Sequence, residues 1–282
     1  SNDNLVSAQS AELRDVRKRE FRGVNAIVNK KTQEAVGYYT FYVNENVGGG
    51  MVNFVIAIYD LDLKLIKQTP ITISKRSTVD GSEFNGKDFM FVFNDEMKKK
   101  MTYVTVDSKG EIIKTKGIEE KERAATTAEV YPSANDAFYI VKPIKEKKWG
   151  YSVAKTDRNI NTLWEKRFMP EKGFVSVEAI ESGGDRIIVI QLVKPSVLSK
   201  KGKGEILCMD DKSGNILYKY PLFDGEVTNI PSAFLIDDKG NIVTGGMYFK
   251  GEKMRGTNSD GLFFLKLSPE GKKIIYNRVD WE

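Results

Sequence analysis

One segment recurs five times in this 282-residue chain, and an internal repeat constrains a fold more tightly than composition does. Each copy is an apolar stretch, a turn rich in Asp, Asn, Ser or Gly, and a second stretch rich in Ile, Leu, Tyr or Trp. The copies begin at Tyr59 (YDLDLKLIK), Val106 (VDSKGEIIK), Thr156 (TDRNINTLWEK), Met209 (MDDKSGNILYK) and Leu267 (LSPEGKKIIYN). Their starts lie 47, 50, 53 and 58 residues apart. Two further strand-like runs precede each copy, so each period divides into four strands, A to D.

The first set of strands is expected at Phe21 to Asn29, Val36 to Val43, Met51 to Tyr59 and Leu63 to Gln68, and the second at Ile71 to Ser77, Asp88 to Asn94, Met101 to Val106 and Glu111 to Lys116. The remaining three sets continue to Arg278, with Tyr151 and Trp164 suited to packing between adjacent sheets. The middle strands are apolar on both faces, so a lone four-stranded sheet would leave one apolar face in water and the repeats must stack. The period is near the roughly 40 to 50 residues of a propeller blade. The expected fold class is therefore all-β, a β-propeller of about five four-stranded blades, with a β-sandwich or solenoid of the same strands as the alternative. Expected blades are 21–70, 71–125, 126–173, 174–230 and 231–282, after a poorly structured lead-in at 1–20. The start at Ser1-Asn2-Asp3-Asn4, without Met, reads as a trimmed or processed form.

The stretch Ser232 to Trp281 (SAFLIDDKGNIVTGGMYFKG, a polar loop, then DGLFFLKLSPEGKKIIYNRVDW) resembles the β-propeller repeats of secreted bacterial proteins. The match is closest over Asp237 to Gly245 and Asp260 to Gly271. The resemblance implies the propeller fold and a periplasmic, cell-surface or secreted setting, and it implies no activity.

Histidine is absent, which removes Ser-His-Asp and Cys-His catalysis and imidazole metal sites. Cys208 is the single cysteine, so no intrachain disulfide forms, and a buried strand position is expected for it. No window approaches the roughly 18 consecutive apolar residues of a membrane-spanning helix. The aspartates of the turns (Asp60, Asp62, Asp107, Asp157, Asp210, Asp211, Asp237, Asp238) complete no calcium loop and suit tight hairpins, where Asp bonds its own turn and Gly takes positive φ. No metal and no cofactor is expected, and no glycine cluster opens a phosphate-binding helix.

Charge is more informative. The excess of 44 basic over 39 acidic residues is small, yet lysines gather in the loops between strands B and C. Lys98, Lys99 and Lys100 lie in the second such loop, and Lys194 and Lys250 in the last two. The candidate ligand face is Lys142, Lys145, Lys147, Lys148, Lys200, Lys201, Lys203, Lys253 and Arg255. In a propeller these loops share one face, which would draw an anionic partner across a Debye length of roughly 8 to 10 Å. A protein or an anionic glycan is the expected partner. Nucleic acid is disfavoured, because few aromatics interleave with the lysines. The function expected is a non-catalytic binding module. The alternatives are a structural domain of a larger envelope-associated protein and a carboxylate-based hydrolase or lyase using Asp80, Glu83 and Asp88.

Overall fold

A computed structural model of the chain describes residues 21–29, 32–119, 127–196, 198–199, 201–252 and 258–281. The lead-in expected at 1–20 lies outside them, as do three residues of the expected ligand face, Lys200, Lys253 and Arg255. The described residues form an all-β structure of twenty strands without a helix. The chain divides into two compact units, Ser1–Lys121 and Glu122–Glu282.

The first unit holds two antiparallel four-stranded meanders. One runs β1 (Phe21–Val28), β2 (Ala35–Gly48), β3 (Met51–Tyr59) and β4 (Leu65–Ser74); the other runs β5 (Thr78–Phe84), β6 (Asp88–Asp95), β7 (Lys100–Asp107) and β8 (Ile112–Glu119). Their shared core is aromatic. Phe41 stacks on Phe54 and Phe91, and Tyr39 meets Phe89 edge-on, an arrangement that adds to plain area burial.

The expected strand Ile71 to Ser77 is not a separate strand. Ile71 to Ser74 complete β4, where Thr69, Ile71 and Ile73 are the buried positions of one unbroken alternation, and the next strand begins at Thr78. The expected break coincides with Pro70. An edge strand accommodates proline because the missing N–H faces away from the sheet.

The second unit holds three meanders: β9 (Glu129–Pro132) to β12 (Thr162–Phe168), β13 (Phe174–Gly183) to β16 (Ile216–Pro221), and β17 (Val227–Ile236) to β20 (Lys273–Asp280). Between them lie β10 (Phe138–Lys145), β11 (Trp149–Thr156), β14 (Arg186–Lys194), β15 (Lys203–Asp210), β18 (Ile242–Lys250) and β19 (Gly261–Leu267). The first two meanders of this unit join into one eight-stranded sheet through a single parallel pairing, Trp149 with Phe174.

Strand β14 explains why its sequence reads as a continuous apolar run. Successive side chains point to opposite faces of a strand, so Ile187 and Val189 enter the core shared with the preceding meander while Ile188 and Ile190 enter the core shared with the following one. Trp164 and Tyr151 lie in the first of these cores, as expected for residues between sheets, and Cys208 is fully buried in the second. Arg186 and Tyr218 neighbour its sulfur, and burial pushes the thiol pKa up.

Candidate functional site

A meander places its B–C turn and the start of the D–A connection at one end, and its A–B and C–D turns at the other. At the second end the repeated aspartates close their own hairpins. Asp107 Oδ1 accepts the Lys109 and Glu111 N–H groups, each at 2.9 Å. Asp157 Oδ1 accepts those of Asn159 and Asn161 at 2.9 and 2.8 Å, and Asp237 Oδ1 those of Lys239 and Asn241 at 3.0 and 2.9 Å. Ser268 Oγ takes the same part in the last turn. These carboxylates are already committed to backbone amides, the local bonding that makes Asp a turn residue. Hydrogen bonds from the Asn241 side chain and from the backbone hold Asp237 down to about 2. Among the described residues no three acidic or thiol groups converge as a metal site would require.

Asp211 differs from its neighbours. Its Oδ2 pairs with Lys155 Nζ at 2.6 Å, with both side chains buried, and also accepts the Asn135 amide at 2.6 Å. Its Oδ1 accepts the Tyr139 hydroxyl, and its carbonyl accepts Trp164 Nε1 at 2.9 Å and Lys155 Nζ at 3.1 Å. Burial first, and then this carboxylate acceptor, push the Tyr139 pKa up. Such a network ties two meanders together, because every polar group in it has a partner that water would otherwise supply.

The opposite end carries a pocket of about 560 Å³. Its wall is Val193, Pro195 and Pro221, its rim Lys172, Lys194, Lys201 and Lys203, with Glu205 and Glu252 also facing it. Lys203 pairs with Glu252 at 3.5 Å. The ammonium groups of Lys172, Lys194 and Lys201 make no ion pair or hydrogen bond among the described residues. Gly173 sets the approach of two of them. It has φ +84°, and a Cβ there would lie 2.1 Å from the Lys194 carbonyl oxygen, so only glycine brings the Lys172 loop this close to the end of β14. Glu205 is half-buried and held in place: Tyr151 donates to Gln191 Oε1 at 2.7 Å, and Gln191 Nε2 donates to Glu205 Oε2 at 2.7 Å.

Of the expected ligand-face residues, Lys201 and Lys203 reach this pocket. Lys145 packs over the Trp149 ring at 4.6 Å, Lys148 donates to the Glu171 carbonyl, and Lys147 is exposed in the turn between them. Lys142 lies within β10, half-buried and paired across to Ser152, rather than in the loop.

The chain matches a family of unknown function, DUF6770, over residues 3–282. It belongs to that family. Among curated proteins none matches it. Among solved structures it is similar to a eukaryotic initiation factor, at 10% identity and TM-score 0.52, over 92% of this chain and 55% of that one. It is also similar to a mutant and to a cobalt-substituted form of Synechocystis apocarotenoid oxygenase, both at 10% identity and TM-score 0.50, over 93% of this chain and 61% of those. The chain thus spans little more than half the length of these structures, and the likeness is one of fold alone.

In this DUF6770 member the acidic trio expected in the second meander sits in three different local settings. Glu83 has its pKa raised by burial. Asp80 accepts the Thr78 hydroxyl at 3.2 Å, and Asp88 is buried at the start of β6, its backbone N–H bonded to Asn85. Two residues of the pocket escaped the sequence reading. Lys172 lies on a D–A connection, which shares its end with the B–C turns, and Glu205 reads in sequence only as the flank of a buried strand.

Proposed function

We propose that the chain is a five-bladed β-propeller, one blade per meander, that acts as a non-catalytic binding module for an anionic polymer through the lysine-rimmed pocket. The observation that carries this reading is the set of Lys172, Lys194 and Lys201 around one concavity, their ammonium groups unpaired among the described residues. Three cations held near each other repel, and a multivalent anion relieves that repulsion while the apolar wall loses contact with water. The volume falls within the roughly 300 to 1,000 Å³ of small-ligand sites, so one unit of a polymer chain fits. The resemblance of Ser232 to Trp281 to repeats of secreted bacterial proteins favours an extracytoplasmic setting, where acidic glycans are abundant.

The test is retention on an immobilised acidic polysaccharide across a salt gradient, with the triple variant Lys172→Glu, Lys194→Glu, Lys201→Glu alongside. Wild type is expected to elute late, at a salt concentration that rises with ligand density, and the variant in the void. Identical elution of the two proteins sinks the proposal.

A further inference from the structure

We infer that the pocket selects a carboxylated, hydroxyl-rich sugar of the uronic acid class over sulfated or phosphorylated chains, with Glu205 as the discriminating residue. The inference rests on the anion-binding reading above and adds the chemistry of the ligand. A pocket built only to attract negative charge has no use for a fixed carboxylate, yet Glu205 is held there by a two-step chain from the buried Tyr151 through the buried Gln191. That chain, with Lys219 at 3.9 Å, engages Oε2 and leaves Oε1 without a partner among the described residues. An ionised carboxylate accepts hydrogen bonds and donates none. Its complement is therefore a donor, and a donor presented by an anionic ligand beside a short apolar surface describes a sugar acid. Its carboxylate meets the lysines, a hydroxyl donates to Glu205, and its C–H face lies on Pro195 and Pro221. A chain bearing sulfate where the hydroxyl should be sets a second anion against Glu205, an unpaired and partly desolvated charge.

The experiment is calorimetric titration with a tetramer of galacturonic acid and a sulfated dextran tetramer, which carries no uronate, on wild type, Glu205→Gln and the triple lysine variant. Glu205→Gln keeps the shape, but Gln191 Nε2 still needs an acceptor, so the new amide turns its oxygen to Gln191 and its NH₂ to the pocket. Galacturonate is expected to bind wild type at least about tenfold more tightly than the sulfated dextran, the worth of one charge-assisted hydrogen bond. In Glu205→Gln that preference should vanish or invert. Equal affinity of wild type for the two acidic oligomers, or a preference that survives Glu205→Gln, overturns the inference while leaving anion binding intact. Unchanged binding of both by the triple lysine variant overturns the anion-binding reading itself.

Discussion

The two ends of the sheets in the second unit use charge in opposite ways. At the A–B and C–D end, Asp157, Asp210 and Asp237 are bonded to their own hairpins and Asp211 to a buried lysine, and neighbouring meanders are tied there by polar contacts such as Asn135 to the Gly184 carbonyl at 2.7 Å. At the B–C end the connections after β14 and β18 are the longer ones, the ammonium groups of three lysines are unpaired among the described residues, and a pocket opens between them. A saturated end holds the fold together, because removing any member strands another. An unsaturated end has binding capacity left over, and loops positioned by a rigid scaffold are where binding residues concentrate.

The largest effect should come from the saturated end. Asp211→Ala leaves the Lys155 ammonium buried without a counterion and removes acceptors for Tyr139 and Asn135. Breaking a buried pair from one side costs about 3 to 5 kcal/mol, so the chemical-denaturation midpoint should fall steeply. The double variant Lys155→Met, Asp211→Ala should recover part of the loss, because no buried charge is then stranded. A loss below about 1 kcal/mol for Asp211→Ala would show that this end does not hold the meanders together.

At the unsaturated end, Gly173→Ala should be costly for a different reason. The left-handed backbone and the 2.1 Å approach to the Lys194 carbonyl cannot both survive a methyl group. About 1 to 3 kcal/mol of strain is expected, with a displaced Lys172 loop and weaker retention on the acidic matrix, whereas Gly184→Ala, at a turn with open space, should leave retention unchanged. If Gly173→Ala binds as wild type does, the geometry of the pocket rim is not what holds the ligand.

A pH series probes the turn carboxylates of the saturated end. The folded-state pKa of Asp237 lies at about 2, below its ordinary value of 3.8, so its contribution to stability is complete above the ordinary value and is lost as pH falls through about 2. Asp210 is lowered in the same direction by Ser213. Burial raises Glu83 and Glu181, and the sign is opposite for them: protonation favours the folded state, so their penalty appears as pH rises through the raised values. Asp237→Asn keeps a turn acceptor but cannot ionise. Its thermal midpoint should lie below that of wild type at about pH 5 and converge with it near pH 2. Parallel curves would mean that the turn carboxylate is not coupled to folding.

The strands and the aspartate hairpins were legible because both depend on neighbours in sequence: alternation writes the strand, and Asp followed three residues later by Gly writes the turn. The start of β5 was missed because Pro70 looked like a boundary where an edge strand merely tolerates it. Asp211 was not legible as a keystone. It sits beside Asp210, which has the ordinary turn role, and its own partners Lys155 and Tyr139 lie on strands of a different meander. The lysine end was half legible. Lys201 and Lys203 stood out as a basic run, but Lys172 and Glu205 join them only once the end at which strand D finishes is known to be the end at which B turns into C.

The smallest expected effect is at Leu63, in one of two turns that lack the glycine their position favours. In the hairpins opened by Asp107, Asp210 and Asp237 the left-handed residue is Gly110, Gly214 or Gly240, but at Asp60 it is Leu63, with φ +60°, and at Asp157 it is Ile160, with φ +61°. A left-handed conformation costs a residue with a Cβ roughly 1 to 2 kcal/mol. Leu63 is half-exposed and gains little packing in return, so Leu63→Gly should raise stability by up to about 1 kcal/mol once the added chain entropy of glycine is subtracted. Ile160 is almost fully buried, so Ile160→Gly should destabilise despite relieving the same strain, since the lost side chain outweighs it. Opposite signs at two turns of one design would establish that this end of the sheets tolerates backbone strain only where a core contact outweighs it; equal signs would leave the non-glycine residues without a packing reason.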